Sequence, residues 1–352
     1  MSKKKVLISG NEAIGAGAIR AGCAFYAGYP ITPQNELTSY MAEHMPAAGR
    51  VFIQAESELA AINMVFGAAA AGARAMTSSS SPGVSLKQEG ISYIAGAQLP
   101  AVIVNIMRGG PGLGNISPSQ SDYFQATRSG GHGDYHSIVL APASVPEAYT
   151  LMQRAFALSE MYLGPVILLG DGMLGQMMEV VEVDTAATEP RQKKKPWALT
   201  GCKGRQPNII RSLYLKEGAL EELNLGLQKK YRLIRQREQK YESFAVNDAR
   251  VIIVAYGTMA RIARQAVMAL RKKGKKAGLI RPITLWPFPT SAFSLVGKPR
   301  PKFLVTEMSY GQMVEDVRLA LEGRAEVAFL GRAGGGIPSE EEITARAMRL
   351  LQ

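Results

Sequence analysis

The chain has 352 residues, 47% hydrophobic and 20% charged, with a net charge of +12. That length allows two ordinary domains with buried cores, and the balance is that of a globular chain rather than a disordered or fibrous one. No apolar run reaches the roughly 18–20 residues that span a bilayer. The opening MSKKKVLISG also lacks a secretory signal's apolar core and cleavage site, so no membrane partner and a cytoplasmic location are expected.

In chain order, 6–9 reads as a short buried strand and 11–21 as a helix rich in small residues. Between them lies Gly10-Asn11-Glu12-Ala13-Ile14-Gly15-Ala16-Gly17. Ala16-Gly17 stands where a phosphate-binding loop needs Lys-Ser/Thr, and Arg20 stands where a dinucleotide fingerprint needs its third glycine. Close packing of helix on strand is the better reading. A strand at 51–54 and a long helix over 57–73 follow, then strands at 75–78, 101–107, 137–140 and 165–169. Strands alternating with helices predict a parallel α/β sheet. Ser144 with Glu147 three residues on predicts a capping box before the helix that begins near 145.

Periodicity fails from 184 to about 207, where Pro190, Lys193–Lys195, Pro196 and several glycines mark a linker. Leu220, Leu223, Leu227, Tyr231 and Ile234 then form one apolar stripe on a basic helix over 217–244. A second α/β unit is predicted from 251, with strands at 251–255, 278–281, 303–306 and 327–330 and a helix over 258–273. The division expected is 1–183, 184–248 and 249–352.

Several constellations invite chemical readings. Gly170-Asp171-Gly172 resembles the opening of a magnesium and diphosphate motif, but no Asn follows at the needed interval. One carboxylate is too few for octahedral magnesium, so a structural turn is expected and no metal site is assigned. His132, Asp134 and His136 have ligand-like spacing without a further Cys or His nearby, and read as a turn. Cys23 and Cys202 are the only cysteines. An iron–sulfur cluster needs about four thiolates, so any such centre belongs to another polypeptide. Residues 1–183 carry a net charge of −3 and the remainder +15. Without aromatic interleaving or a nucleic-acid motif, this suits an acidic protein partner or an anionic substrate, not nucleic acid.

The richest constellation is Tyr29-Pro30-Ile31-Thr32-Pro33, Glu58, Ser78–Gly83 and Arg108. The prolines fix an extended turn that aims Thr32. Glu58 opens a helix of unusually small residues. An acid there either satisfies the helix dipole or meets a ligand, and residue chemistry alone leaves both open.

Gly-Tyr-Pro-Ile-Thr-Pro at 28–33, Gln-Ala-Glu-Ser-Glu at 54–58, Thr-Ser-Ser-Ser-Ser-Pro-Gly at 77–83 and Met-Arg-Gly-Gly-Pro at 107–111 recur in a known order, as do Leu-Ile-Arg-Pro-Ile-Thr-Leu-Trp-Pro-Phe-Pro at 279–289 and Glu-Met-Ser-Tyr-Gly-Gln-Met at 307–313. Together they resemble the alpha-type subunit of 2-oxoacid:ferredoxin oxidoreductases over nearly the whole chain. The resemblance implies a pyrimidine-type thiamine diphosphate-binding domain with a parallel sheet, followed by a transketolase C-terminal-like α/β domain. It implies a cofactor shared between chains: a beta-type subunit holds Mg2+ and the diphosphate, and a gamma-type subunit and a ferredoxin-like iron–sulfur subunit complete the enzyme. Glu58, with Glu56 as the near alternative, resembles the acid that hydrogen-bonds the aminopyrimidine ring and favours the tautomer that accepts the thiazolium proton. Tyr29, Pro30, Pro33, Ser81 and Gly83 resemble cofactor contacts. Thr32, Ile31 and Arg108 resemble substrate contacts, and a guanidinium suits a 2-oxoacid carboxylate. The implied reaction is CoA-dependent oxidative decarboxylation with electron transfer to ferredoxin. The compact length looks most like the 3-methyl-2-oxobutanoate enzymes, with the 2-oxoglutarate enzymes close behind. A non-catalytic scaffold and a transketolase-type carboligase share the same expected fold.

Overall fold

The computed structural model describes residues 3–184, 195–294 and 300–352. Pro190 and the start of the lysine run lie outside the described residues. The first part runs β1 (Lys3–Ser9), α1 (Gly10–Arg20), β2 (Phe25–Gly28), α2 (Asn35–Ala47), β3 (Val51–Gln54), α3 (Glu58–Ala70), β4 (Ala75–Ser79) and α4 (Ser81–Gly96). It continues with β5 (Ala101–Met107), α5 (Tyr123–Thr127), β6 (Ile138–Leu140), α6 (Val145–Tyr162), β7 (Pro165–Asp171), α7 (Gly172–Gln176) and β8 (Met178–Asp184). The second part comprises α8 (Ala219–Arg237), β9 (Tyr241–Phe244), β10 (Val251–Val254), α9 (Met259–Lys272), β11 (Ala277–Pro282) and β12 (Thr284–Trp286). Then come β13 (Lys302–Glu307), α10 (Met313–Leu321), β14 (Val327–Gly331) and α11 (Glu340–Leu350).

The main sheet has the order β12-β6-β7-β5-β4-β2-β3 and is parallel except for β12. Its central strands β4, β5 and β7 are buried at every residue. Helices therefore cover both faces, and AVIVNIM and PVILLGD read as continuous rather than alternating runs. The chain leaves β2 for β3, then returns to β4 on the other side of β2. That reversal places a switch point at the carboxyl ends of β2 and β4, where open α/β sheets bind ligands.

The 6–9 segment departs from expectation. It belongs to β1, which pairs antiparallel with β8 in a separate two-stranded sheet, with Leu7 exposed. Its inner face packs on Ala13, Val145 and Tyr149. The glycine element after it serves packing: a Cβ at Gly10 would strike the Leu174 carbonyl, and one at Gly17 the Tyr149 carbonyl on α6. Ser144 caps α6 as expected, by accepting from the Glu147 amide at 3.3 Å. The return half of the capping box is absent, because the Glu147 carboxylate accepts from the Ala143 amide and pairs with Arg281 at 2.9 Å.

The second sheet has the order β14-β13-β10-β11-β9, with β9 antiparallel. Two strands cross the division expected from sequence. Residues 241–244 leave the predicted helix and form β9 of the second sheet, while β12 crosses back to edge the first. On α8, Leu227, Tyr231 and Ile234 are buried, but Leu220 is half exposed. Tyr231 meets Trp286 of β12 edge-on at 5.6 Å, locking helix, strand and sheet together. Buried polar contacts complete the joint: the Gln120 side chain donates to the Tyr256 main-chain oxygen and accepts from the Met308 amide, the Tyr256 hydroxyl donates to the Gln120 main-chain oxygen, and Tyr123 donates to Asp316 at 2.5 Å.

Candidate functional site

Four strand ends converge at the switch point. β2 delivers Tyr29–Pro33, β3 delivers Glu56–Glu58, β4 delivers Ser79–Ser81 and β5 delivers Arg108. These strands are neighbours in the sheet, so their carboxyl ends lie side by side.

Glu58 occupies the first position of α3, after Ser57, whose hydroxyl accepts from the Ala60 amide at 3.1 Å. Only 6% of Glu58 is exposed, whereas Glu56 faces solvent. No group among the described residues donates a hydrogen bond to the Glu58 carboxylate. It rests against the first turn of α4, where a Cβ at Gly83 would collide with it and with Ser79 Oγ. Gly83 thus makes room for the acid. The hydroxyls of Ser79 and Ser80 are buried without partners, and a buried hydroxyl left unpaired is costly unless something else completes it.

Ser81 is the first residue of α4. Its hydroxyl is already committed, donating to Asp122 at 2.6 Å and accepting from the Arg108 amide at 3.0 Å. Asn105 donates to the same Asp122 oxygen at 3.0 Å. Burial pushes the Asp122 carboxyl above its ordinary range, opposed by the Ser81 and Asn105 bonds. Arg108 is 9% exposed and braces two loops, donating to the main-chain oxygens of Thr32 and Leu113, each at 3.0 Å. Its Nε is buried and unpartnered. Tyr29 and Pro30 are exposed, Ile31 and Thr32 half-buried and Pro33 buried. Beneath this turn, Gln34, Thr38, Ser78 and Tyr26 form a buried polar net.

Sequence reasoning missed Asn105, Asp122 and Lys87. Lys87 is fully buried on α4, and its Nζ donates to the Glu58 main-chain oxygen at 3.3 Å and to Thr77 Oγ1 at 3.0 Å. A signal was present: Lys87 shares a helical face with Val84, Ile91 and Ile94, an improbable place for a solvated lysine.

Asp171 is buried and spent. It accepts from the Leu174 amide at 3.0 Å and from Thr258 Oγ1 at 2.6 Å, tying the first sheet to the second. His132, Asp134 and His136 diverge: the first two are exposed, and His136 stacks on Trp286 at 4.5 Å. Burial and then Arg235 and Arg128 push the His136 imidazole down to about 4. Among the described residues no group of three or more His, Cys, Asp or Glu could hold a metal, and no helix is long and apolar enough to cross a membrane.

These features define a class: an α/β chain of transketolase-like fold with a buried acid near its main sheet's switch point. The chain belongs to the family described as pyruvate flavodoxin/ferredoxin oxidoreductase, thiamine diphosphate-binding, whose model matches residues 16–243. A model of pyruvate:ferredoxin oxidoreductase core domain II matches 249–343. Ketoisovalerate oxidoreductase subunit VorB of Methanothermobacter thermautotrophicus is 49% identical, over 94% of each chain. The 2-oxoglutarate synthase subunit KorA of Archaeoglobus fulgidus is 41% identical, over 88% of this chain and 90% of its own. Among solved structures, 2-oxoglutarate:ferredoxin oxidoreductase from Magnetococcus marinus superposes with a TM-score of 0.87 at 28% identity, covering 99% of this chain and 66% of that one.

The residues present fit one half of thiamine diphosphate. A free buried carboxylate, two orphaned hydroxyls and a glycine cradle suit an aminopyrimidine. Asp171, the acid of the Gly170-Asp171-Gly172 element, has both carboxylate oxygens engaged by the Leu174 amide and Thr258.

Proposed function

We propose that this chain is the pyrimidine-side subunit of a 2-oxoacid:ferredoxin oxidoreductase that converts 3-methyl-2-oxobutanoate, CoA and oxidised ferredoxin to acyl-CoA, carbon dioxide and reduced ferredoxin. The observation that carries this reading is Glu58, 6% exposed at a helix start, whose carboxylate accepts nothing from the described residues. The α3 dipole favours negative charge there, and the unfilled lone pairs suit a donor that arrives with a ligand. When bound, thiamine diphosphate supplies the nucleophile and electron sink for decarboxylation.

Glu58 exchanges a proton with the pyrimidine ring nitrogen in this reading. Gly83 lets the acid approach, Ser79 and Ser80 face the ring, and Tyr29, Pro30 and Pro33 wall the entrance. Ser81 holds Arg108 and Asp122 in register rather than touching the ligand. The unspent N–H groups of Arg108, with Thr32 and Ile31, receive the substrate carboxylate.

Magnesium and the diphosphate fall to a beta-type partner. A gamma-type chain and a ferredoxin-like chain bearing the iron–sulfur clusters complete the assembly, and CoA enters as co-substrate. Residues 1–183 form the pyrimidine-binding unit and 249–352 the transketolase C-terminal-like unit, with 184–248 joining them. The branched-chain substrate rests on the ketoisovalerate relatives at 49% identity. The 41% KorA relative makes 2-oxoglutarate the second reading.

The test is the complex purified through this chain, assayed with a panel of 2-oxoacids, CoA and a viologen dye. Dye reduction dependent on both 2-oxoacid and CoA is expected, fastest with 3-methyl-2-oxobutanoate. A complex that joins carbon skeletons without reducing the dye points to a carboligase. One that does neither points to a scaffold.

A further inference from the structure

Beneath the acid lies a cation that the proposed chemistry does not use. Lys87 crosses from α4 to the first turn of α3 and is fully buried. Two of its three ammonium protons are placed, one on Thr77 of β4 and one on the main-chain oxygen of Glu58. A buried ammonium is costly unless a counter-charge compensates it. Among the described residues, the charge that acts on it is that of Glu58 on α3. The next carboxylate along α4, Asp122, is held by Ser81 and Asn105. The hydrogen bond goes to the Glu58 backbone rather than to its side chain. The acid therefore gains a nearby positive charge while both its oxygens stay free for a ligand.

We propose that Lys87 is a positioning residue, whose buried ammonium anchors the first turn of α3 and serves as the counter-charge that holds the Glu58 carboxylate ready for the pyrimidine. This rests on the reading of Glu58 given above. Burial lowers the Lys87 ammonium from its ordinary 10.5 to about 8, with the Glu58 charge opposing the fall. The cation therefore discharges within an accessible pH range, and the counter-charge to Glu58 is lost with it.

The experiment uses the assembled complex freed of cofactor, with thiamine diphosphate and Mg2+ titrated calorimetrically from pH 7 to 9. In the native complex the affinity should fall as pH rises through about 8. In Lys87→Met, which nearly conserves volume, affinity at pH 7 should drop about tenfold and its pH dependence across this range should vanish. Lys87→Arg, which keeps the charge, should restore part of both. Native-like affinity and pH dependence in a folded Lys87→Met complex overturn the proposal.

If Lys87→Met fails to assemble, the reciprocal measurement decides. A lysine whose folded value lies below its unfolded one makes stability rise with pH between about 8 and 10.5. Glu58→Gln removes the opposing charge, so the rise in melting temperature should begin at lower pH than in the native complex. A rise at the same pH overturns the coupling. Neither readout requires turnover. An active Glu58→Gln enzyme sinks the acid's catalytic role, whereas an unmoved titration sinks only that of Lys87.

Discussion

Glu58 and Glu307 are both buried at the carboxyl end of a parallel strand, one in each sheet, yet their surroundings are opposite. Glu307 closes β13 and caps α10, accepting from the amides of Gln312, Met313 and Val314 at 3.2, 3.0 and 3.0 Å and from Ser309 Oγ at 2.9 Å. Burial still pushes its carboxyl above the ordinary range, against those bonds. Glu58 begins α3 and accepts nothing from the described residues, though it lies near the orphaned Ser79 hydroxyl and its main-chain oxygen accepts from the buried Lys87. A carboxylate whose lone pairs are filled by its own chain is part of the scaffold. One whose lone pairs are left empty is open to a donor that comes from outside.

The sharpest way to break this contrast is Glu58→Gln. Turnover of the complex with 2-oxoacid and viologen should fall by about 100-fold or more, while the melting temperature stays near native. Comparable loss of folding would place Glu58 with Glu307 as scaffold. Glu307→Gln should do the reverse. The amide cannot accept from all the donors that face it, so stability should fall by about 2–4 kcal/mol in denaturant titration, with turnover per folded molecule nearly native. Gly83→Ala sharpens the geometry. The new methyl displaces the Glu58 carboxylate, and thiamine diphosphate affinity should weaken on the order of tenfold, measured by calorimetry on the intact complex. The smallest effect belongs to Glu56→Gln, which alters an exposed acid two residues away. Its turnover should stay within about twofold of native, and a collapse there would move the catalytic role from Glu58 to its neighbour.

Much of this contrast could be read from residue types and order. Strands β4, β5 and β7 fell where the sequence predicted them, because strands buried on both faces announce themselves by composition alone. The resemblance put Glu58 ahead of Glu56, and the fold turns the first acid inward and the second out. What periodicity cannot encode is the partner of a strand. β1 looked like a member of the parallel sheet, but its mate β8 lies far along the chain and runs antiparallel. The same blindness hid the exchange of β9 and β12 between sheets. Asp122 was invisible because it works through Ser81 and Asn105, and no local pattern ties those three positions together. Lys87 was legible as an anomaly on an apolar face, but its meaning depended on Glu58 lying across the helix gap.

The short β12 has a consequence for how the chain is made. Until Thr284 emerges from the ribosome, β6 is a bare sheet margin, with amide and carbonyl groups open to any passing extended peptide. Leu140 precedes its mate by roughly 140 residues, on the order of 10–30 s of synthesis. Ribosome-bound fragments that stop short of 284 should therefore stick to one another and recruit chaperones, while those that extend past Trp286 should be released as monodisperse subunits ready for assembly.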